Sequence, residues 1–266
     1  MSDAATDAPD APHALFVVVP YHDEARGMHA TLRALAAQDD RAFTLVLVDN
    51  ASTDDGPAIA ARFASECAAS PDGLPRVQLL REPQKGTGAA SDTGFRHAVA
   101  QGARWIARTD ADCVPARDWV RALRRALARD GLEFVAGKIR PRRDEGPLSW
   151  RARATLAAML FVAERYGRLH RRGPQFRYPY IMAAGNNLAI AATLYLRAGG
   201  FPRTAIEEAH EDRALSEVVR TLTDRAAVRR DVVVYNSVRR VRAYGYLNTL
   251  RWYRNHGYRP ATVDVR

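Results

Sequence analysis

The stretch RWIARTDAD, residues 104–112, leads from a short apolar segment into two carboxylates that stand one residue apart. Its length and content predict a buried strand over residues 104–109. Asp110 and Asp112 follow where that strand ends. Neighbouring carboxylates repel each other unless a cation lies beside them, and Mg²⁺ or Mn²⁺ suits oxygen ligands. Acidic residues at strand ends are also common turn formers, so the triplet alone fits a plain turn as well.

Strand and helix patterns alternate around this stretch. Buried strands are predicted at 14–19, 43–48 and 77–80, and helices at 28–38, 57–69, 86–101 and 118–128. This alternation predicts a parallel sheet with helices on both faces. Ligands bind such sheets at the carboxyl ends of the strands, where Asp23, Glu24, Asp49 and Asn50 also fall.

The second half is less regular. It predicts strands at 132–139 and 232–235, helices at 150–169, 191–198 and 212–220, and a turn at Gly185–Asn187. Residues 1–13 are acidic and rich in proline and alanine, which predicts a disordered tail. No apolar run approaches the roughly 20 residues of a membrane-spanning helix. Two cysteines, Cys67 and Cys113, form no disulfide framework, which favours a cytoplasmic location.

The net charge of +10 is concentrated in two segments. Residues 1–137 hold 15 basic and 19 acidic side chains, whereas residues 138–177 and 220–266 each hold 11 basic and 3 acidic ones. One interpretation is a coding bias that places arginine on solvated faces. The other is an anionic acceptor or membrane surface that meets the second half. Nucleic acid is not expected, because the aromatic interleaving of a single-strand binder is not evident.

Several motifs together resemble one enzyme family. Residues 17–24 resemble the opening of the family 2 glycosyltransferases, residues 47–54 their second-strand signature, and residues 109–112 their metal motif. Residues 185–190, 199–201 and 211–215 resemble their acceptor-side signatures, in the family's order. The resemblance runs from about residue 14 to about residue 220.

The resemblance implies a GT-A-type, Rossmann-like α/β fold: a mostly parallel sheet flanked by helices in a single compact unit. Residues 14–137 would bind a nucleoside-diphosphate sugar, and residues 138–266 the acceptor. The implied activity is an inverting, hexosyltransferase-like transfer with Mg²⁺ or Mn²⁺ as cofactor. The alternatives are a nucleotidyltransferase acting on a sugar phosphate, and a non-catalytic basic protein that binds nucleic acid or membrane.

The implied donor site is made of residues near the strand ends. It comprises Pro20, Tyr21, Glu24, Asp49, Asn50, Lys85, Asp110 and Ala111. Lys85 precedes a glycine-rich turn and a helix whose N-terminus suits phosphate, although a solvated surface lysine is an equal interpretation. Asn50 stands where many relatives carry an acid, which leaves the base open. Ser91-Asp92 stands where many carry Arg-Asn, which puts that phosphate contact in doubt.

The implied metal and acceptor residues lie mostly in the second half. Asp212 would be the general base and Glu211 would orient the acceptor, an assignment compatible with capping of a helix. The acceptor side also includes Gly185, Asn186, Asn187, Arg251 and Trp252, and the metal ligands are Asp110, Asp112 and His256. Residues 248–252 resemble a motif of processive members, but processive synthesis is not expected without their membrane helices. The acceptor hypothesis is an anionic or lipid-linked molecule, reached in the cytoplasm or from the inner face of the membrane.

Overall fold

The computed structural model describes residues 14–70, 75–142, 144–146, 150–170, 172–203, 211–239, 241–243, 245 and 248. Within them lie the strands β1 (Leu15–Tyr21), β2 (Thr44–Asp49), β3 (Arg76–Arg81), β4 (Trp105–Arg108), β5 (Val114–Pro115), β6 (Phe134–Pro141), β7 (Leu188–Ala191) and β8 (Ala226–Asn236). The helices are α1 (Ala25–Ala36), α2 (Gly56–Ala69), α3 (Thr87–Ala100), α4 (Trp119–Arg124), α5 (Trp150–His170), α6 (Ala192–Arg197) and α7 (Glu211–Leu222). Helix α4 continues as a π-helical turn, Arg125–Arg129, and a short 3₁₀ turn, Gly185–Asn187, precedes β7.

All eight strands belong to one sheet, in the order β3-β2-β1-β4-β7-β6-β8-β5. The first four are parallel, as are β6 and β8, whereas β7 is antiparallel to both of its neighbours and β5 to β8. This confirms the predicted α/β architecture with a sheet that is mostly parallel. Strands β5 and β7 were not predicted, because two to four apolar residues beside a helix start carry no readable period.

Apolar cores cover both faces of the sheet because successive strand residues point to opposite sides. On β1, Val17 and Val19 pack with α1 and α4, whereas Phe16 and Val18 pack on the side of α3 and α6. Helix α3 approaches closely, since a Cβ at Gly94 would lie 2.4 Å from Cγ1 of Val18. The carboxyl ends of β1, β2 and β4 are therefore held rigidly side by side.

The predicted functional boundary at residue 138 falls inside β6, at a shift in register between Gly137 and Lys138. The two halves therefore share one sheet. None of the described helices has both the length and the apolar content that crossing a membrane requires. The predicted tail, residues 1–13, lies outside the described residues.

Candidate active site

The turns that follow β1 and β2 are locked together by hydrogen bonds. The Asp23 carboxylate accepts from the Thr53 amide at 2.6 Å and the Thr53 hydroxyl at 3.2 Å. The Asp54 carboxylate accepts in return from the Ala25 amide at 2.7 Å. Asp23 and Ala51 have φ angles of 51° and 56°, a left-handed conformation that residues with a side chain rarely adopt. Strain of this kind persists only where surrounding contacts impose it, and it concentrates at binding sites.

Asp49 and Tyr21 form the floor beneath these turns, opposite each other on β2 and β1. One Asp49 oxygen accepts from the Ser52 amide at 2.9 Å, and the other lies 4.0 Å from Nε of Arg81. Burial raises the pKa of the Tyr21 hydroxyl, and the charges of Asp49 and Asp54 raise it further. The hydroxyl therefore stays neutral and remains a hydrogen-bond donor. Pro20, beside Tyr21, is also buried.

Asn50 shapes the loop that leads into α3. Its amide nitrogen donates to the carbonyls of Glu82 at 3.0 Å and Gln84 at 2.7 Å, and its oxygen accepts from the Gly86 amide at 2.8 Å. In this arrangement the Asn50 amide nitrogen has no hydrogen left to donate to a nucleotide base, and its oxygen already accepts one hydrogen bond. Lys85 stands exposed on the loop that Asn50 holds.

Asp110 is tied to the interior by a buried arginine. Arg108, the last residue of β4, is only 2% exposed. Its Nη2 lies 3.1 Å from Asp110, and its Nη1 donates to Glu211 at 3.1 Å. The close approach needs a glycine, because a Cβ at Gly185 would lie 2.8 Å from Cζ of Arg108. Burial raises the pKa of Asp110 to about 6; Arg108 opposes this rise, while Asp112 and Glu211 add to it.

Asp112 lies beside a second arginine near the surface. Nη2 of Arg239 donates to Glu24 at 2.7 Å and lies 3.4 Å from Asp112. Burial raises the pKa of Glu24 to about 7, with Asp112 adding to the rise and Arg239 opposing it. Arg142 donates to the backbone carbonyl of Asp112 at 3.0 Å and so holds the turn from behind. Two carboxylates and one cation thus share a half-buried corner of the site.

Asp212 lies in the first turn of α7, next to Glu211. One of its oxygens accepts from the Gly185 amide at 2.9 Å and the other from the Arg213 amide at 2.6 Å. Burial raises the pKa of Asp212 and Glu211 adds to the rise, while the Gly185 amide and Arg108 oppose it. A carboxylate held rigidly with a raised pKa has the properties of a general base.

The two asparagines that follow Gly185 have different surroundings. Asn187 is 1% exposed; its amide donates to the Lys138 and Val232 carbonyls, and its oxygen accepts from Trp119. Its predicted contact with an acceptor hydroxyl is therefore not available, because the amide is used inside the core. Oδ1 of Asn186 is buried without a hydrogen-bond partner among the described residues, which leaves that oxygen for a ligand.

A cation from the second half compensates two buried acids near the start of α3. Arg203 donates to Glu82 at 2.8 Å and approaches Asp92 to 3.4 Å. Asp92 also accepts from Arg96 at 2.8 Å and from the Tyr195 hydroxyl at 2.7 Å. Asp92 lies at one of the two positions where a phosphate contact was in doubt, and it is committed to these internal partners.

Three predicted residues, Arg251, Trp252 and His256, lie outside the described residues. Within the described part of the chain, no group of three or more His, Cys, Asp or Glu side chains has the arrangement of a metal site. Asp110 and Asp112, the predicted ligands that the structure describes, lie 3.1 Å from Arg108 and 3.4 Å from Arg239. Ala111 lies buried between them, and its carbonyl accepts from the Thr31 hydroxyl at 2.6 Å.

Two arginines of the site were not assigned from sequence. Arg108 could have been found, because a charged residue in a buried strand needs a partner, and two acids follow it directly. Arg239 belongs to the basic segment 220–266, and the sequence predicted no individual role for it. Its contacts with Glu24 and Asp112 span 215 and 127 residues, and no local pattern reveals such pairings.

Comparison with known proteins identifies the family of the chain. Residues 16–189 match the model of "Glycosyl transferase family 2". The glycosyltransferase AglE of Haloferax volcanii is 28% identical over 125 residues, which are 46% of this chain and 38% of AglE.

Solved structures share the fold. The S. aureus TarS fragment 1-349 in complex with UDP has a TM-score of 0.61 at 14% identity, covering 88% of this chain and 63% of that one. The mannosyltransferase PcManGT from Pyrobaculum calidifontis, solved with GDP-Man and Mn²⁺, has a TM-score of 0.61 at 25% identity, covering 95% and 67%. The chain spans only 38% of AglE and 38% of the longer TarS structure. The matched model covers well over half of the chain, and the chain therefore belongs to glycosyl transferase family 2.

Proposed function

We propose that this chain moves a sugar from a nucleoside-diphosphate sugar to an acceptor hydroxyl. The observation that carries the proposal is the Arg108 bridge, with contacts of 3.1 Å to both Asp110 and Glu211. Because Asp212 directly follows Glu211, the bridge holds a candidate base beside the carboxylates at the end of β4. Donor chemistry and acceptor chemistry thus meet at one edge of the sheet.

The donor's nucleotide is assigned to the interlocked turns after β1 and β2. Asp49 keeps one oxygen 4.0 Å from Arg81, and Tyr21 offers a neutral hydroxyl. Lys85 and the amides at the start of α3 suit the diphosphate, since a helix N-terminus favours anions. Similar proteins solved with UDP and with GDP-Man support a nucleotide-sugar donor.

A divalent cation fits the residues that face this edge. Asp110 and Asp112 supply hard oxygen ligands, and Glu24 lies in the same corner. The guanidinium of Arg239, 2.7 Å from Glu24 and 3.4 Å from Asp112, already stands as a positive charge between these carboxylates. Mg²⁺ or Mn²⁺ bound there would neutralise the charge that develops on the departing nucleoside diphosphate. Occupation of this corner by the ion requires Arg239 to move aside.

The transfer step assigned to Asp212 is a single displacement. Its carboxylate takes the proton of the acceptor hydroxyl, and that oxygen attacks the anomeric carbon of the donor sugar. The bond from the anomeric carbon to the diphosphate oxygen breaks on the opposite side, which inverts the configuration. Asn186, through its unpartnered oxygen, is assigned to position the acceptor.

The acceptor is proposed to be anionic or lipid-linked, reached by peripheral contact with the inner face of the membrane. The support is the charge distribution, with 11 basic and 3 acidic residues in 138–177 and the same numbers in 220–266. Residues 138–266 are assigned to the acceptor, although they share the sheet with the donor half.

Titration calorimetry with UDP, GDP and dTDP, each with and without Mn²⁺, tests the donor assignment. We expect one nucleoside diphosphate to bind with a marked Mn²⁺ dependence that Asp112→Asn removes. Identifying the released product separates the alternatives, because a nucleotidyltransferase releases pyrophosphate from a nucleoside triphosphate. No nucleotide binding, together with strong salt-dependent binding to nucleic acid, would contradict the proposal.

A further inference from the structure

We propose that the outward face of α5, together with residues 172–180, docks onto an anionic lipid bilayer. The proposal deepens the membrane contact of the proposed function and assigns it to a particular surface.

The outward face of α5 exposes large apolar side chains. Phe161, Val162, Tyr166 and Leu169 are 62%, 64%, 61% and 60% exposed. Their spacing of one, five and eight residues places them on one side of a helix. Trp150, three helical turns earlier on the same side, is 73% exposed. Large apolar side chains exposed side by side on one face of a helix are typical of an interaction site.

A cavity of about 890 Å³ lies between α5 and residues 172–180. Gly167 lets the two segments approach, since a Cβ there would lie 2.3 Å from Cε1 of Tyr180. Leu169, Phe176 and Tyr178 contribute to its lining. Tyr178 is 9% exposed, and its hydroxyl has no hydrogen-bond partner among the described residues. A headgroup oxygen entering the cavity would satisfy that hydroxyl.

Cations surround the apolar surface. Arg165, Arg172 and Arg177 line the cavity, and no carboxylate of the described residues forms an ion pair with any of the three. Arg172 donates through Nε to the Arg168 carbonyl at 2.8 Å, and Arg177 to the Thr221 carbonyl at 3.1 Å. Each keeps its remaining guanidinium nitrogens for other partners. Apolar side chains interleaved with arginines match the boundary between acyl chains and anionic headgroups.

This combination favours a bilayer over other anionic or apolar partners. Phe161 and Tyr166 could stack on bases, but Val162 and Leu169 are exposed beside them, are aliphatic, and gain nothing from stacking or from phosphate charge. A second copy related by two-fold symmetry would bring the same surface against itself. Arg165 and Arg172, which form no ion pair within the described part of the chain, would then face like charges. An anionic bilayer binds both components of the surface, because its acyl chains take up the apolar side chains and its headgroups pair with the arginines.

The surface is connected to the candidate base through α7. Arg220, near the end of that helix, is 1% exposed, and its guanidinium lies 3.9 Å from the Phe176 ring centroid. Asp212 lies eight residues earlier, about 12 Å along the helix axis. A lipid-linked acceptor with its chain in the membrane would therefore need only a short headgroup to bring a hydroxyl to Asp212.

Vesicle flotation tests the charged component, using phosphatidylcholine alone and phosphatidylcholine mixed with phosphatidylglycerol. We expect binding only to the mixed vesicles, weakened roughly tenfold or more by the double variant Arg165→Glu/Arg172→Glu. The matched control is Arg129→Glu/Arg230→Glu, which changes the same net charge at exposed positions elsewhere and should retain binding. Equal binding by the two double variants would overturn the proposal.

The apolar component has its own pair of variants. Phe161→Ser/Leu169→Ser should abolish flotation with the mixed vesicles. Leu79→Ser/Leu196→Ser, at positions 45% and 51% exposed on other elements, should leave it unchanged. Light scattering that shows a dimer dissociated by Phe161→Ser/Leu169→Ser would overturn the proposal in favour of a second copy. Nucleic-acid binding lost in Arg165→Glu/Arg172→Glu while flotation persists would also overturn it.

Nucleotide calorimetry on the same proteins separates this inference from the proposed function. All four double variants should bind the nucleoside diphosphate as the unmodified chain does. Retained nucleotide binding without vesicle binding in the unmodified chain would overturn the docking surface and leave the donor site standing. Vesicle binding without nucleotide binding would overturn the donor site and leave the docking surface standing.

Discussion

Arg108 and Arg239 each stand between two carboxylates of the candidate site, yet their surroundings differ. Arg108 is 2% exposed and joins Asp110 to Glu211, whereas the Arg239 side chain is 26% exposed and joins Glu24 to Asp112. Burial opposes the charged form of Arg108, but Asp110 and Glu211 raise its pKa overall. A buried cation with two partners cannot leave without stranding both, whereas a half-exposed one can exchange with solvent or with another cation. We infer that the first arginine is a fixed part of the site and the second is exchangeable.

The largest effect is expected for a substitution of Asp212, the candidate base next to the Arg108 partner Glu211. Asp212→Asn should lower the transfer rate by about 10²–10⁴, because it removes a general base while keeping an oxygen for the Gly185 amide. Nucleotide affinity should stay unchanged. The measurement is the initial rate with a donor and acceptor that support turnover, with Asp224→Asn, exposed beyond the end of α7, as control. Transfer retained by Asp212→Asn would rule out its assignment as the base.

The fixed and exchangeable arginines should differ in stability. Arg108→Met should lower the free energy of unfolding by about 3–5 kcal/mol, since it leaves Asp110 and Glu211 without their buried partner. Arg239→Met should lower it by less, about 1 kcal/mol, because the side chains of Arg239 and Glu24 are partly exposed to solvent. Urea denaturation followed by circular dichroism gives both values. Similar losses in the two variants would contradict the inference that Arg108 is fixed and Arg239 exchangeable.

Loss of the protons bound by Glu24 and Asp110 should make the metal-free protein less stable as pH rises. Glu24 has a pKa of about 7 when folded and about 4.5 when unfolded, so the folded state binds more protons between these values. The free energy of unfolding should therefore fall through this window, by on the order of 1–2 kcal/mol after solvent screening. Asp110, raised from 3.8 to about 6, acts with the same sign at lower pH.

Urea denaturation in chelator at several pH values measures this dependence. Glu24→Gln should flatten the curve between about pH 5 and pH 7, because the amide does not titrate. Asp112 and Arg239 remain in place in this variant, so the difference between the two curves isolates Glu24. A variant curve that runs parallel to that of the unmodified chain would contradict the raised pKa.

The smallest effect is expected for metal affinity. Arg239→Ala removes the charge that stands between Glu24 and Asp112, so Mn²⁺ should bind more tightly by on the order of 1 kcal/mol, or about fivefold. Titration calorimetry of Mn²⁺ in the presence of the preferred nucleotide measures the change. Arg230→Ala, an exposed arginine elsewhere, is the control. Weaker Mn²⁺ binding in Arg239→Ala would show that the arginine supports the ion rather than competing with it.

The sequence predicts the first half of this fold well because its strands are long, apolar and regularly followed by helices. Asp49 and Asp110 could be placed at the sheet edge for that reason, since carboxyl ends of parallel strands lie together. The hydrogen-bond partners of Asn50 and Asn187 could not be predicted, because they are backbone carbonyls of distant segments. The polarity of such a side chain predicts that it needs hydrogen bonds when buried, but it does not predict which groups are its partners. The same limit hid the contacts of Arg239.

Arg203 and Glu211 anchor the two ends of the stretch that precedes Asp212. Residue 203 is bound to Glu82 near α3, and residue 211 to Arg108 on β4, so both flanks of the stretch before Asp212 are anchored to the donor half. The candidate base, Asp212, is thus held at a fixed distance from Asp110 through Glu211 and Arg108. We therefore expect substitutions on the exposed face of α5, such as those at Phe161 and Leu169, to leave the position of Asp212 relative to Asp110 unchanged.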